Sequence, residues 1–456
     1  MSTTIATYLP ESMLIRIGPD LRILDESGAP IPFPTAEAFA WFFHEYVHYL
    51  HNISTASGIA AFVNTLELWR CFRPTIDEGG NSLGSAPLEA ERNRHLQELT
   101  AYLDGARRKN VPLIKRLVDV ASVKVLSMSK SSGIVTKQGT LLSVVVCEAE
   151  AMDRGGQTEA LTVKIGTLEL LEGAAWLLEK KMAVAIDPCA NVVPPAVFPY
   201  RIAEAVVDYI MPGVDDEGVL AFILAALQSS DAPGGFAELL SAAQHVELDP
   251  DDAPAYLRAQ AECAIAQNKA GLEAQLSALE AEFANEGAMA KAVLHVISIA
   301  RQSFAERERD PFFELEMIAA FRDETQNPVQ VLSQLLPCAV LQQNPGPADQ
   351  VQRDFLLSFY PATDIADEDI ESLMRVVQAI FHYVGVHRSV SGFVETQRAT
   401  HRPCPFYCCC NLALRREDPA VCGQSPWQAA DWQTWDENKG MCWYGAAVRI
   451  TRPPPV

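Results

Sequence analysis

The chain has 456 residues, enough for about three domain-sized units. Apolar residues make up 49% and charged residues 21%, too apolar a balance for a disordered chain. Lysine and arginine number 36 against 58 aspartates and glutamates, and the net charge of −22 repels phosphate, which argues against nucleic acid or an anionic membrane as the main partner.

The N-terminal stretch MSTTIATYLPESMLIRIG has no basic start and no apolar run, so no secretory signal is expected. Residues 12–25 read as two short strands around a Gly-Pro-Asp turn. Pro32 and Pro34 break the chain. Thr35 is placed to cap a helix running from Ala36 into the low fifties, with Glu37 in its first turn. A second apolar helix spans Ile59 to Cys71. Residues 74–88, rich in Gly, Ser and Pro, read as a loop, and helices are expected near 89–108 and 111–128. The β-branched runs of 133–166, with Asp153-Arg154-Gly155-Gly156 between them, predict a small antiparallel sheet with a hairpin.

Helical periodicity then holds, with breaks, over 167–184, 196–211, 215–229, 252–305, 311–324, 327–342, 349–360 and 366–387. The densest apolar run, Val219 to Leu227, is too short to span a bilayer. A soluble, cytoplasmic protein without a membrane partner is expected, and clustered cysteines there are read first as metal ligands. The tail from His401 is irregular and rich in Cys and Trp. The expected fold class is mainly α (α+β), divided into 1–184, 185–400 and 401–456: a helical core with a small antiparallel sheet, a large helical extension and a Cys-rich tail.

Residues 41–55 read WFFHEYVHYLHNIST and contain His44-Glu45-Tyr46-Val47-His48, an HExxH pattern on the first predicted helix. Positions i and i+4 lie one turn apart on one helix face, so both imidazoles can reach one zinc ion about 2.0–2.1 Å away. Glu45 is then placed to act on a water held there. The bland alternative is a core helix with two satisfied histidines, which would bury Glu45 between them at a cost.

This segment resembles the active-site helix of zincin metallopeptidases, specifically the gluzincin group, in which the third zinc ligand is a glutamate on a later helix. A metzincin would need a third histidine where Ser54 stands. Two glutamates compete for the third position. Glu172, in Glu172-Gly173-Ala174-Ala175, resembles the Glu-Gly-x-Ala piece that carries this ligand in several gluzincins, and it is favoured. Glu67 follows His48 at a spacing seen in gluzincin aminopeptidases and stands second. Glu169 and Glu179 are further alternatives, and a solvated helix charge is the competing reading for each.

The resemblance implies a zincin-like core over 1–184, a Zn2+ cofactor held by His44, His48 and a glutamate, and hydrolysis of peptide bonds with Glu45 as general base on a zinc-held water. A second donor to the oxyanion is sought among Tyr200, Tyr209, His382, Tyr383 and His387, with Tyr383 and His387 chosen. Each ligating histidine also needs an acceptor behind it, for which Asp208 is a candidate. Residues 185–400 exceed what such a core needs. They are expected to cover or gate the cleft, or to recognise one protein substrate with narrow specificity, and a regulatory protein partner is compatible with their size.

In the tail, Cys404, Cys408, Cys422 and Cys442 form a candidate second, structural metal site, with free thiols or disulfides as alternatives. Three consecutive cysteines, 408–410, cannot all face one ion. Trp427, Trp432, Trp435 and Trp443 suggest a tail that packs as a small unit. Two other functions compete with this reading. A di-iron site needs a second ExxH, and none of the other seven histidines has a glutamate three residues before it. A catalytically silent helical scaffold or interaction protein with structural zinc is the remaining alternative, against which the intact Glu45 weighs.

Overall fold

The computed structural model describes residues 5–10, 12–25, 31–117, 119–136, 139–284, 288–321, 338–343, 354–358, 367–410, 412–431 and 442–452. It is mainly helical with small sheets, the fold class expected from the sequence. Two short strands, β1 (Ala6–Leu9) and β2 (Leu14–Ile17), open the chain. Helices α1 (Ala36–Ser54), α2 (Ala56–Phe72) and α3 (Ala90–Ala106) follow. Thr35 caps α1 by accepting the Ala38 N–H at 3.1 Å, as its position before Glu37 predicted. Strands β3 (Val120–Thr136), β4 (Gly139–Asp153) and β5 (Thr158–Ile165) make an antiparallel sheet. Its β4–β5 turn is the expected Asp153–Gly156 hairpin: Asp153 Oδ1 accepts the Gly155 and Gln157 N–H groups, and Gly156 takes φ +80°.

Then come α4 (Thr167–Ile186), the helical turn α5 (Val197–Tyr200), α6 (Ile202–Ile210), α7 (Asp216–Ala226), α8 (Ala232–His245), α9 (Ala253–Phe283), α10 (Ala288–Arg309) and α11 (Phe313–Phe321). Strands β6 (Ala339–Gln342) and β7 (Phe355–Ser358) precede α12 (Asp367–His387), and β8 (Arg388–Ser389) and β9 (Gly392–Phe393) form a short hairpin after it. The tail carries α13 (Ala413–Glu417), α14 (Pro419–Gln424) and α15 (Trp443–Thr451).

Four readings change. Residues 111–128 are not helical: their second half opens β3, where Val123 and Val125 begin a two-residue alternation. The expected helices 327–342 and 349–360 contain β6 and β7 in their described parts; short apolar runs such as AVLQ fit either element. The rest of both ranges, like Trp432 and Trp435, lies outside the described residues. The expected second strand near residues 21–25 is absent, and the partner of β2 is β1. Helix α8 went unread because Pro233, Gly234 and Gly235 fill its first turn; Asp231 caps it through the Gly234 N–H.

The first sheet has the order β1-β2-β6-β7. β2 pairs antiparallel with β1 and parallel with β6, with Ile15 opposite Val340, so it joins segments more than 300 residues apart in sequence. One continuous apolar core draws residues from the N-terminal strands, the helices and the tail. Within it Trp69 of α2 stacks on Phe283 of α9 at 4.9 Å and donates its indole N–H to Thr451 of α15. Helix α1 lies at the centre, packed against α4, α2 and α10. Among the described residues no helix is long and apolar enough to cross a membrane.

Candidate metal centre

Phe39, Phe42, Phe43, Tyr46 and Leu50 bury one side of α1, which fixes its rotation and sends His44 and His48 to the side facing α4. The two imidazoles sit with ring centroids 4.9 Å apart and planes at 76°. From α4, Glu172 Oε2 approaches His44 Nε2 at 3.4 Å and His48 Nε2 at 3.5 Å. One atom from each of His44, His48 and Glu172 lies within 4.8 Å of the others, and among the described residues no other group of His, Cys, Asp and Glu does this. Next to Glu172, Gly173 lets the opposite side of α4 pack closely on α5, α6 and α7. A Cβ there would stand 3.3 Å from Ile223 Cδ1 and 3.4 Å from the Tyr200 carbonyl. Ala174 and Ala175 are fully buried beside it.

The other nitrogen of His44, Nδ1, donates to Glu179 Oε2 at 2.8 Å, two helical turns along from Glu172. A carboxylate can only accept, so Nδ1 carries a proton and Nε2 is the atom that faces Glu172 and His48. Burial disfavours the charged ring, but the bonds to Glu172 and Glu179 and the charge of Glu45 outweigh it and push the His44 pKa up to about 10 without metal. Burial likewise opposes ionisation of Glu172, yet His44 and His48 hold its carboxyl well below the usual range. The pocket therefore concentrates negative charge around two imidazoles, an environment that favours the protonated His44 ring when no metal is present. Two imidazole nitrogens and a carboxylate oxygen, with an acceptor behind one histidine, are a donor set suited to zinc.

Glu45 lies beside this set and accepts the backbone N–H of Tyr8, on β1, at 2.6 Å. Tyr200 places its ring 6.0 Å from that of His44. Burial first, and then the carboxylates of Glu172, Glu45 and Glu179, push its phenol up to about 12, so it stays protonated and able to donate.

Several expected residues stand elsewhere. Glu67 accepts from Arg70 on its own helix and lies 3.8 Å from His95. Glu169 is a structural cap: it accepts the Gly166 and Asn110 backbone N–H groups. Tyr383 and His387, chosen as oxyanion donors, pack against Phe72. Tyr383 donates to the Gly80 carbonyl, and His387 Nδ1 donates to the Tyr383 carbonyl at 2.9 Å. Burial pushes His387 down to about 4, a neutral ring closing the core between α2 and the tail. His382 bonds the Tyr444 hydroxyl at 3.1 Å. Tyr209 and Asp208 are exposed on α6, and the acceptor behind His44 is Glu179. The tail set Cys404, Cys408, Cys422 and Cys442 is not a convergent one, because Cys408 faces Asp354 and Arg16. The Tyr8 N–H was invisible in the sequence, since a backbone donor carries no side-chain signal.

Behind the centre is a fully buried ion group. His51 Nε2 donates to Glu314 Oε1 at 3.0 Å, and Arg307 makes a two-pronged bond to Glu314 at 2.7 and 2.6 Å and donates to Ser54 at 2.8 Å. It ties the last turn of α1 to α10 and α11.

Comparison with family models, with curated proteins and with solved structures finds no match to this chain.

Proposed function

We propose that the protein is a zinc-dependent metallopeptidase, with Zn2+ held by His44, His48 and Glu172. The convergence of His44 Nε2, His48 Nε2 and Glu172 Oε2 beside Glu45 is the observation that supports this best. When bound there, zinc supplies a water of near-neutral pKa and polarises the scissile carbonyl. Glu45 takes the proton of the attacking water and returns it to the leaving amine. Its bond to the Tyr8 N–H holds the carboxylate at a fixed place for both transfers. Tyr200, a neutral phenol beside His44, donates to the developing oxyanion, the role first sought at Tyr383 and His387. Glu179 holds His44 with Nε2 forward. The substrate is a peptide or protein.

The test is hydrolysis of a peptide library by the zinc-loaded full chain, read by mass spectrometry. Glu45→Gln is expected to keep the metal and the fold and to lose cleavage by at least 100-fold, the scale of a general base. Cleavage at the wild-type rate by that variant would overturn the role of Glu45, and no cleavage by the zinc-loaded wild type would overturn the peptidase.

A further inference from the structure

We propose that Cys404, Cys410, Cys422 and Cys442 hold a second zinc ion, a structural site separate from the one on α1 and α4. All four line one cavity of about 20 Å³, together with Phe406 and Tyr444. That volume is about one water-sized sphere, the scale of a single ion.

The chain is arranged to bring these sulfurs together. Cys404 and Cys410 bracket a turn, Cys422 lies in α14, and Cys442 caps α15. The Cys404 N–H donates to the Cys422 carbonyl at 2.8 Å, which pins two of these segments. Three sulfurs have backbone N–H groups aimed at them: Leu412 at Cys410 (3.5 Å), Gly445 at Cys442 (3.4 Å) and Phe406 at Cys404. Burial raises the Cys404 and Cys442 thiols, and these donors work against it, towards the thiolate that ligates metal.

The consecutive cysteines diverge. Cys408 faces Asp354 and Arg16, and Cys409 donates to the Phe406 carbonyl and packs beside Leu14 and Ala339. Cys410 alone of the three turns to Cys404, Cys422 and Cys442, so it takes the place in the proposed set that the sequence reading gave to Cys408. Arg415 and Arg449 lie within electrostatic reach of Cys422 and Cys442 and offset the charge of a tetrathiolate.

On binding, zinc displaces four thiol protons into solvent and forms four Zn–S bonds of about 2.3 Å, with no change of oxidation state. The four sulfurs are not yet at the close spacing of the first centre. Ion binding draws them inward, and part of the binding free energy goes into bringing the 404–410 turn, α14 and α15 together. The site would then fasten α15, which bonds Trp69 through Thr451, to the helical body.

The experiment uses the full chain. Metal analysis of the zinc-loaded protein is expected to give two ions per chain, and one in the His44→Ala/His48→Ala variant. In that background Cys410→Ser removes the remaining ion and Cys408→Ser keeps it. Cobalt(II) substitution is expected to give a sulfur-to-cobalt charge-transfer band in both wild type and the His44→Ala/His48→Ala variant, which needs no cysteine variant to fold. Absence of that band in wild type, or its loss on Cys408→Ser but not on Cys410→Ser, would overturn the proposal. Peptide cleavage plays no part in these readouts, so they stand or fall independently of the peptidase.

Discussion

Glu179 decides how His44 meets a cation. It holds Nδ1 at 2.8 Å and so commits Nε2 to the centre. Glu179→Gln keeps the size of the side chain but can present an N–H to a ring nitrogen that needs an acceptor. We expect zinc affinity to fall about 10–100-fold, measured by competition with a chromogenic chelator. Unchanged affinity would make Glu179 a bystander. His44 also gives a pH signature. In the metal-free protein its pKa is raised from 6.5 to about 10. The stability it contributes is fully present below pH 6.5 and is lost as pH rises through about 10. Melting of chelator-treated protein should therefore fall across that window, and the decline should vanish in His44→Ala. Zinc competes with the Nε2 proton, so zinc affinity should rise over the same range.

At this scale much of the centre was legible. His44, Glu45 and His48 lie within one helical turn, so local periodicity alone sets their geometry. Glu172 was legible through the resemblance of Glu172-Gly173-Ala174-Ala175 to a Glu-Gly-x-Ala piece; the close approach expected of its small residues is made elsewhere, since Gly173 meets Tyr200 of α5 and Ile223 of α7. Tyr383 and His387 misled because polar groups on an apolar helix have two uses, and here they satisfy carbonyls within the core.

Among the elements, the junctions of α1 carry the most constraint. Gly58, in the first turn of α2, sits against the His51 carbonyl and Asn52 backbone at the end of α1. A methyl group there collides with backbone that cannot rotate away. Gly58→Ala should destabilise the fold by about 1–3 kcal/mol in denaturant unfolding. Gly173→Leu should push α4 from α6 and α7 and lower zinc affinity as well as stability, because Glu172 moves with the helix. A Gly58→Ala protein of wild-type stability would show that the junction relaxes freely. The helices were readable because their apolar stripes are local. The β1-β2-β6-β7 sheet was not, since Ile15 meets Val340 across the whole chain and no window of sequence contains both. The β3–β5 sheet was readable through its turn but not at its first edge, where exposed Lys124 and Leu126 alternate with buried Val125.

Across the whole molecule, the buried group of His51, Glu314 and Arg307 couples α1 to the helices that follow. All three side chains are 0% exposed, and Phe313 lies 4.3 Å under the Arg307 guanidinium. Burial opposes ionisation of Glu314, but Arg307 and His51 overcome it and lower its pKa to about 2. Removing one partner strands a buried charge, so Glu314→Ala should cost about 3–5 kcal/mol in unfolding experiments. A much smaller loss would mean that water enters and solvates Arg307. The net charge of −22 fits this picture: most acids stay on the surface, and those turned inward are each partnered, Glu172 by His44 and His48, Glu314 by Arg307, Asp310 by Arg258 and Glu169 by backbone N–H groups.

The most direct measurement is anomalous diffraction at the zinc edge from zinc-replete crystals of the full chain. A peak bounded by His44 Nε2, His48 Nε2 and the Glu172 carboxylate is the predicted result. No peak there, or a peak held by Glu67 in place of Glu172, would contradict it.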